Sequence, residues 1–395
     1  MYKPFQIYML ALGGFLTAVA ELVVAGILNT VAADLNISVA LAGQLITAYS
    51  LAFAIGTPIL TALTSRMDRK RVLIAALAFF IAGSLISFLS PNISVLMVSR
   101  VLLGLSGGVF LVAAMSAVTK LVPAESIGRA MSLLALGFSL AFVLGVPIGI
   151  SIANRYDWHV IFLLLALVAL AILIGIARIL PSIEGDAPSS AAGQFRVMTN
   201  PVVVFGLLMS LLWSTGNSVQ FTFINPYLEA VFRMNASQIS LVMVGFGLFG
   251  VLGSRFGGYG VDRWGTVNML TGSLAAGIVS FALLPLAAGS LWVGLLLLMV
   301  WVTSMFASAP ALNTYFVQKA PESANLVLSL NMSFTHVGLA LGAGAGGVLI
   351  EYSSDAGYNP WLAAAALVLA LAAALGSFAS ARRPLRDTML LSRPE

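Results

Sequence analysis

No cysteine occurs among the 395 residues, which removes disulfides, thiolate metal sites and thiol chemistry and leaves the redox compartment unreadable. Charge is almost as scarce: 8% of the chain is Asp, Glu, Lys or Arg, against about 25% in soluble domains. A chain so poor in charge cannot cover a water-facing surface. Polar stretches long enough to form a soluble domain are also missing, since apolar runs follow one another from Phe5 to Ala379. No Gly-Lys phosphate loop is present, so direct use of ATP by this chain is not expected. A cleavable leader is not expected either: Lys3 precedes an apolar run too long for one, with no small-residue cleavage site, and the run reads as a first membrane span.

What is present is apolar sequence, 60% of the chain. A membrane helix needs about 20 mainly apolar residues. Runs of that size are expected at 5–31, 40–63, 72–89, 93–118, 130–153 and 160–180, then at 202–228, 239–257, 267–288, 291–317, 326–350 and 360–379. In hydrocarbon an open sheet edge leaves backbone groups unsatisfied, and the runs lack the ten-residue alternation of a barrel, so all twelve are predicted to be helices.

One polar break, from Pro181 to Asn200, divides six spans from six. The expected organisation is a bundle over 1–181, a cytoplasmic linker over 182–199, a second bundle over 200–381 and a cytoplasmic tail over 382–395. The halves echo each other. The turn Arg66–Arg71 follows the second span as Gly258–Gly265 follows the eighth, and Val118–Pro123 ends the fourth as Val317–Pro321 ends the tenth. Offsets of about 197 to 199 residues indicate an internal duplication.

The net charge of +5 reads as topology rather than as affinity for nucleic acid. With the N-terminus inside, Lys3, Arg66, Arg69, Lys70, Arg71, Lys120, Arg129, Arg178, Arg196, Arg263, Lys319, Arg382, Arg383, Arg386 and Arg393 share the inner side. Only Arg155 and Arg233 fall clearly outside. Cytoplasmic loops carry the Lys and Arg excess, so both termini are expected in the cytoplasm of a cell-membrane protein.

Once the loops are set aside, the ionisable residues expected at depth are Glu21, Arg100 and His336. A charge near the bilayer centre costs at least ~2.5–3.5 kcal/mol, which favours a functional role for such residues. Glu21 could bind a proton: burial disfavours its carboxylate, while Arg100 or an arriving cation favours it. A fixed ion pair, or a carboxyl held neutral by hydrogen bonds, is the other reading. Arg100 lies near enough to the interface to snorkel instead. His336, beside Asn331, Ser333 and Thr335, fits a hydrogen-bonded packing residue.

Two enzyme patterns occur and are discounted. Gly104-Leu105-Ser106-Gly107-Gly108 fits the nucleophile elbow and Gly342–Gly347 fits the dinucleotide fingerprint, but neither follows a strand. Small residues inside apolar helices let backbones approach, and no enzymatic activity is expected. Gln44, Tyr49, Asn217, Gln220, Asn225, Asn313, Tyr315 and Asn331 are polar residues within spans. They either face a water-filled cavity or hydrogen-bond between helices. Trp213, Phe221, Phe223, Trp301 and Met305 are interleaved with them and suit a soft apolar pocket, although such residues more often pack a core.

The two-half plan and the turn motifs resemble the major facilitator superfamily, over essentially the whole chain. The turn Gly258-Tyr259-Gly260-Val261-Asp262-Arg263-Trp264-Gly265 matches that family's Gly-x-x-x-Asp-Arg-x-Gly core. The first-half turn is degenerate. Thr61 and Ser65 stand where Gly and Asp are usual, and Asp68 replaces the second Gly before Arg69-Lys70-Arg71. Arg100-Val101-Leu102-Leu103-Gly104 resembles the fourth-span Arg-x-x-x-Gly motif, and Gly137 with Gly145-Val146-Pro147-Ile148-Gly149 resembles the fifth-span motif of exporters. Ala20–Leu28 is similar to the first-span motif of twelve-span drug:proton antiporters, in the branch exporting purines, sugars and chloramphenicol. The resemblance implies an all-α fold of two pseudo-symmetric six-helix bundles. It implies proton coupling at Glu21, support from Arg100, gating by both turns, and bending at the half–half contact through Gly145, Pro147 and Gly149. Gln44, Tyr49, Asn217, Gln220, Asn225, Trp301, Asn331 and His336 are candidates for a substrate cavity. The expectation is a monomeric exporter exchanging a small organic solute for protons, with the lipid bilayer as its surroundings and neither metal nor cofactor. A metabolite-specific exporter, an importer and a non-transporting sensor are the alternatives.

Overall fold

In hydrocarbon no water meets a bare backbone donor, so each apolar run closes its hydrogen bonds within itself. The computed structural model describes residues 4–123, 126–185 and 199–391, and among them twelve helical segments are long and apolar enough to cross a bilayer. The first half contains α1 (Pro4–Gly26), α2 (Leu28–Asp34), α3 (Val39–Leu63), α4 (Arg69–Phe88), α5 (Ile93–Leu121), α6 (Ile127–Leu140), α7 (Val146–Arg155) and α8 (His159–Ile179). The second half contains α9 (Pro201–Thr222), α10 (Ile224–Phe232), α11 (Ala236–Trp264), α12 (Thr266–Leu283), α13 (Leu291–Lys319), α14 (Ala324–Ser353) and α15 (Asn359–Leu391). In each half, the face at which its first helix starts, Pro4 for α1 and Pro201 for α9, is the terminal face, and the opposite one is the far face.

Polar side chains at the breaks start several helices. Ser38 accepts the Leu41 N–H, Asp68 the Arg71 N–H and Asn92 the Val95 N–H, so α3, α4 and α5 each begin on an N-cap worth about 1 kcal/mol. Three of the expected runs are irregular within their length. The first is interrupted by a turn at Ile27, and the seventh by a turn at Phe223. The fifth is continuous but contains a wide π-turn, Ala141–Gly145. Pro147, just beyond it, has no N–H to give the preceding turn, a common cause of such irregularity.

The helix α15 continues to Leu391, into the stretch expected as a tail. The linker residues 186–198, including Arg196, and the tail residues 392–395, including Arg393, lie outside the described residues. So does Lys3, and the side chains of Arg129, Arg382, Arg383 and Arg386 are likewise not described.

Packing divides the chain into two units. One comprises Met1–Pro188, Val219–Leu248 and Leu339–Asn359. In it α5 packs on α3 and α4, α8 on α4, and α6 along α1. The other comprises Ser189–Ser218, Phe249–Gly338 and Pro360–Glu395, with α12 packed along α13. The glycines that matched enzyme patterns lie at helix crossings. A Cβ on Gly104 would collide with the Tyr49 carbonyl oxygen, and one on Gly347 would sit 3.2 Å from that of Ala40.

Candidate functional site

The approach of α5 to α3 at Gly104 brings Arg100, one turn earlier, inside the first unit. Arg100 is fully buried. Its Nη1 donates to the Ala20 carbonyl at 2.8 Å, its Nε donates to the Leu45 carbonyl at 3.4 Å, and the guanidinium lies 4.7 Å from the centre of the Tyr49 ring. Three helices therefore hold one cation. Its Nη2 is buried with no hydrogen-bond partner. Glu21, the residue after Ala20, is half-buried and close enough for its charge to act on both Arg100 and Tyr49. The Tyr49 hydroxyl reaches the Thr17 carbonyl at 3.5 Å, again on α1.

The fifth span runs close beside the helix that carries Glu21. A Cβ on Gly137 would stand 2.7 Å from the Ala11 carbonyl oxygen, one on Gly145 would collide with the Val19 side chain and one on Gly149 with that of Val23. Each of these three glycines thus lies against α1. Pro147 does face the second half: its carbonyl accepts from Ser240 at 3.5 Å. The three glycines differ in what blocks substitution. Gly145→Ala meets a side chain, so adding Val19→Ala is expected to restore most of its loss, whereas Gly137→Ala meets backbone and no side-chain trimming relieves it. Overpacking of this kind costs about 1–3 kcal/mol, readable as a fall in thermal unfolding midpoint.

On the far face the first unit joins residues from both sequence halves. The carbonyl of Gly26, at the break of the first span, accepts from Asn225 Nδ2 at 2.5 Å, just past the break of the seventh. Asn29 donates to the Glu229 carboxylate, and nearer the middle of α3 and α14 Thr47 donates to the Ala340 carbonyl at 3.3 Å.

The other cavity candidates scatter. Gln44 is half-buried near Gly347. Gln220 is fully buried with both amide atoms unpartnered. In the second unit, Asn217 and Trp301 bond each other, Trp301 Nε1 donating to Asn217 Oδ1 at 2.8 Å. Asn331 donates to Asn313 at 3.4 Å, and His336 Nδ1 reaches the carbonyl of Met332, one turn back on its own helix, at 2.9 Å.

On the terminal face the first-half turn holds its own linker. Asp68 caps α4 and also accepts the Ser182 hydroxyl and the Ile183 N–H, the latter at 2.9 Å, while the Arg69 N–H returns to the Ile183 carbonyl at 2.8 Å. Arg69 is buried and donates to the Ser65 carbonyl at 2.8 Å; Lys120 holds the carbonyls of Glu184 and Gly185. Arg66 and Arg71 are exposed and Lys70 half-buried. In the second-half turn Asp262 and Arg263 are exposed, Gly258 has open space around it, and Gly265 adopts φ +84°, which favours glycine.

Burial pushes the Asp68 carboxyl up, but bonds from Ser182 and from the N–H groups of Arg71, Ile183 and Lys70 outweigh it and hold the group below the ordinary aspartate range. Its contribution is therefore present above the unfolded value near ~3.9 and is lost as pH falls through the lower folded one. Asp68→Ala is expected to lower the unfolding midpoint at pH 7, through a cap worth about 1 kcal/mol. The gap from the unmodified protein is expected to narrow below about pH 4.

Arg255 is not among the residues expected at depth. It is exposed on α11 two residues before the expected end of that span, but the helix runs on to Trp264. A basic residue that close to the boundary is the signal that could have found it.

The profile of the Major Facilitator Superfamily matches residues 10–343. An uncharacterized MFS-type transporter of Bacillus subtilis, YbcL, is 34% identical over 96% of this chain and 97% of its own. The inner membrane transport protein YdhP of Escherichia coli strain K12 is 29% identical over 95% of each. Among solved structures, a point mutant of the nucleoside transporter NupG superposes with a TM-score of 0.80 at 13% identity over 95% of this chain and 99% of that one. A D-xylose–proton symporter gives 0.77 at 17% identity over 94% and 97%.

Proposed function

The chain belongs to the major facilitator superfamily, a membrane transporter rather than an enzyme, and from that premise we propose that it is a proton-coupled exporter of small organic solutes across the cytoplasmic membrane. The observation that carries the proposal is Arg100: a guanidinium fully buried in a membrane-spanning bundle, tied to the carbonyl beside Glu21, with one N–H pair left over. A buried cation needs compensating charge. Glu21 supplies it as a carboxylate and withdraws it on taking a proton, so the two charge states favour different arrangements of α1, α3 and α5.

In this reading Glu21 loads a proton from outside and releases it inward, and solute binding competes with or follows that release. The two halves move by alternating access around a site near the midplane. The far-face ties, Asn225 to Gly26 and Asn29 to Glu229, must break for the outward-open state. Both termini are cytoplasmic, as the Lys and Arg distribution supports. One proton crossing 100 mV supplies ~2.3 kcal/mol, enough for a roughly fifty-fold solute gradient. The fifth-span glycines support export over import.

Solute flux in proteoliposomes with an imposed pH gradient tests this. Acid outside is expected to drive extrusion; binding without flux would make the protein a sensor, and accumulation in the acid-driven inward direction would make it an importer.

A further inference from the structure

In the second unit, α12, α13 and the part of α11 from Phe249 onward form a groove of about 480 Å³ lined by Phe249, Phe256, Trp264, Gly272, Val300 and Thr303. The lining is almost wholly apolar and lies within membrane-crossing stretches. Phe249, Phe256 and Val300 are 40%, 48% and 39% exposed. Such surface at this depth has hydrocarbon as its neighbour. On α11 the groove stripe is distinct from the face of Gly247, whose open flank receives Val143; Phe256 is nine residues on, about half a turn around the helix.

The floor is unfilled where Gly272 lies, since a Cβ there would meet nothing within 4 Å. At the terminal-face end Trp264 makes edge contacts with Phe256 and Tyr259, at ring separations of 5.6 and 6.1 Å, the kind of aromatic group that sits at headgroup level. Asn268 Nδ2 donates to the Trp264 carbonyl at 2.9 Å. Phe249, Phe256 and Arg263 follow at intervals of seven, so the exposed Arg263 continues the same stripe past the apolar lining. Thr266 bonds Gln318 at 3.0 Å, which brings the end of α13 and Lys319 to the start of α12. Among the described side chains near this mouth, two cations, Arg263 and Lys319, thus stand against one carboxylate, Asp262. From Phe249 to Arg263 the helix rises about 21 Å, more than the ~15 Å of one leaflet.

We propose that this groove binds one acyl chain of an anionic phospholipid, with the lipid phosphate against Arg263. One basic side chain near an anionic headgroup is worth about fivefold in preference.

The test uses full-length protein in phosphatidylcholine vesicles containing a rising fraction of phosphatidylglycerol with brominated acyl chains, which quench tryptophan on contact. Trp264 and the exposed Trp292 are read separately, as differences from Trp264→Phe and Trp292→Phe. Half-quenching of Trp264 is expected at a brominated fraction about fivefold lower than for Trp292. Gly272→Leu, which projects into the open floor, is expected to erase that advantage. Arg263→Gln, at an exposed position, is expected to erase the preference for brominated phosphatidylglycerol over brominated phosphatidylcholine while the protein stays folded. Quenching of Trp264 in simple proportion to bulk composition overturns the proposal, and so does an advantage that survives both substitutions.

Discussion

Glu21→Gln is expected to leave the protein folded and inserted but to abolish uphill extrusion driven by a pH gradient, while exchange of labelled for unlabelled solute continues. Glutamine keeps the size and hydrogen-bonding reach of the side chain and removes only its ability to change charge. Arg100, 0% exposed and tied to Ala20, Leu45 and Tyr49, keeps the same surroundings. The substitution therefore isolates titration from architecture. A fall of at least tenfold in the uphill rate, equivalent to ~1.4 kcal/mol, is the expected scale. Extrusion at the unmodified rate would place the coupling elsewhere in the chain.

Arg100→Gln is expected to destabilise strongly, by about 2–3 kcal/mol, because charged hydrogen bonds to two backbone carbonyls are lost from a fully buried site. Arg100→Lys keeps the charge but cannot reach the Ala20 and Leu45 carbonyls together from a single ammonium, so it is expected to recover stability only in part. In the double variant with Glu21→Gln the loss is expected to be smaller than the two single losses added. A coupling of ~0.5–3 kcal/mol is normal for groups in one network. Thermal unfolding of the unmodified, Glu21→Gln, Arg100→Gln and doubly substituted proteins in the same detergent measures this, and strict additivity would show that Glu21 does not compensate the buried cation.

Hydropathy found the twelve spans because in this chain composition alone distinguishes membrane from loop. It did not find the turns at Ile27 and Phe223, since both residues are as apolar as their neighbours and the change is one of direction. It also ended the eighth span at Gly257, because Asp262 and Arg263 are polar, although the helix continues through them to Trp264. Arg100 was legible as a base in an apolar run. Its partners were not, because a backbone carbonyl leaves no trace in residue identity. Their residue types make Asn217 and Trp301 separate cavity candidates, and they bond to one another across 84 positions. Asp68 stood out as the lone acid of its turn, but the linker residues it grips lie more than a hundred positions away.

The π-turn at Ala141–Gly145 has a consequence for register. Gly137 and Gly145 are eight residues apart, which in a regular α-helix would set them about 80° from each other. A wide turn absorbs one residue, so the effective step is seven and the offset shrinks to about 20°. Gly149, four further on, stays within the same sector. The irregularity thus aligns three bare backbone sites into a single track against which α1 seats, and the proline after it keeps that phase from being annealed away.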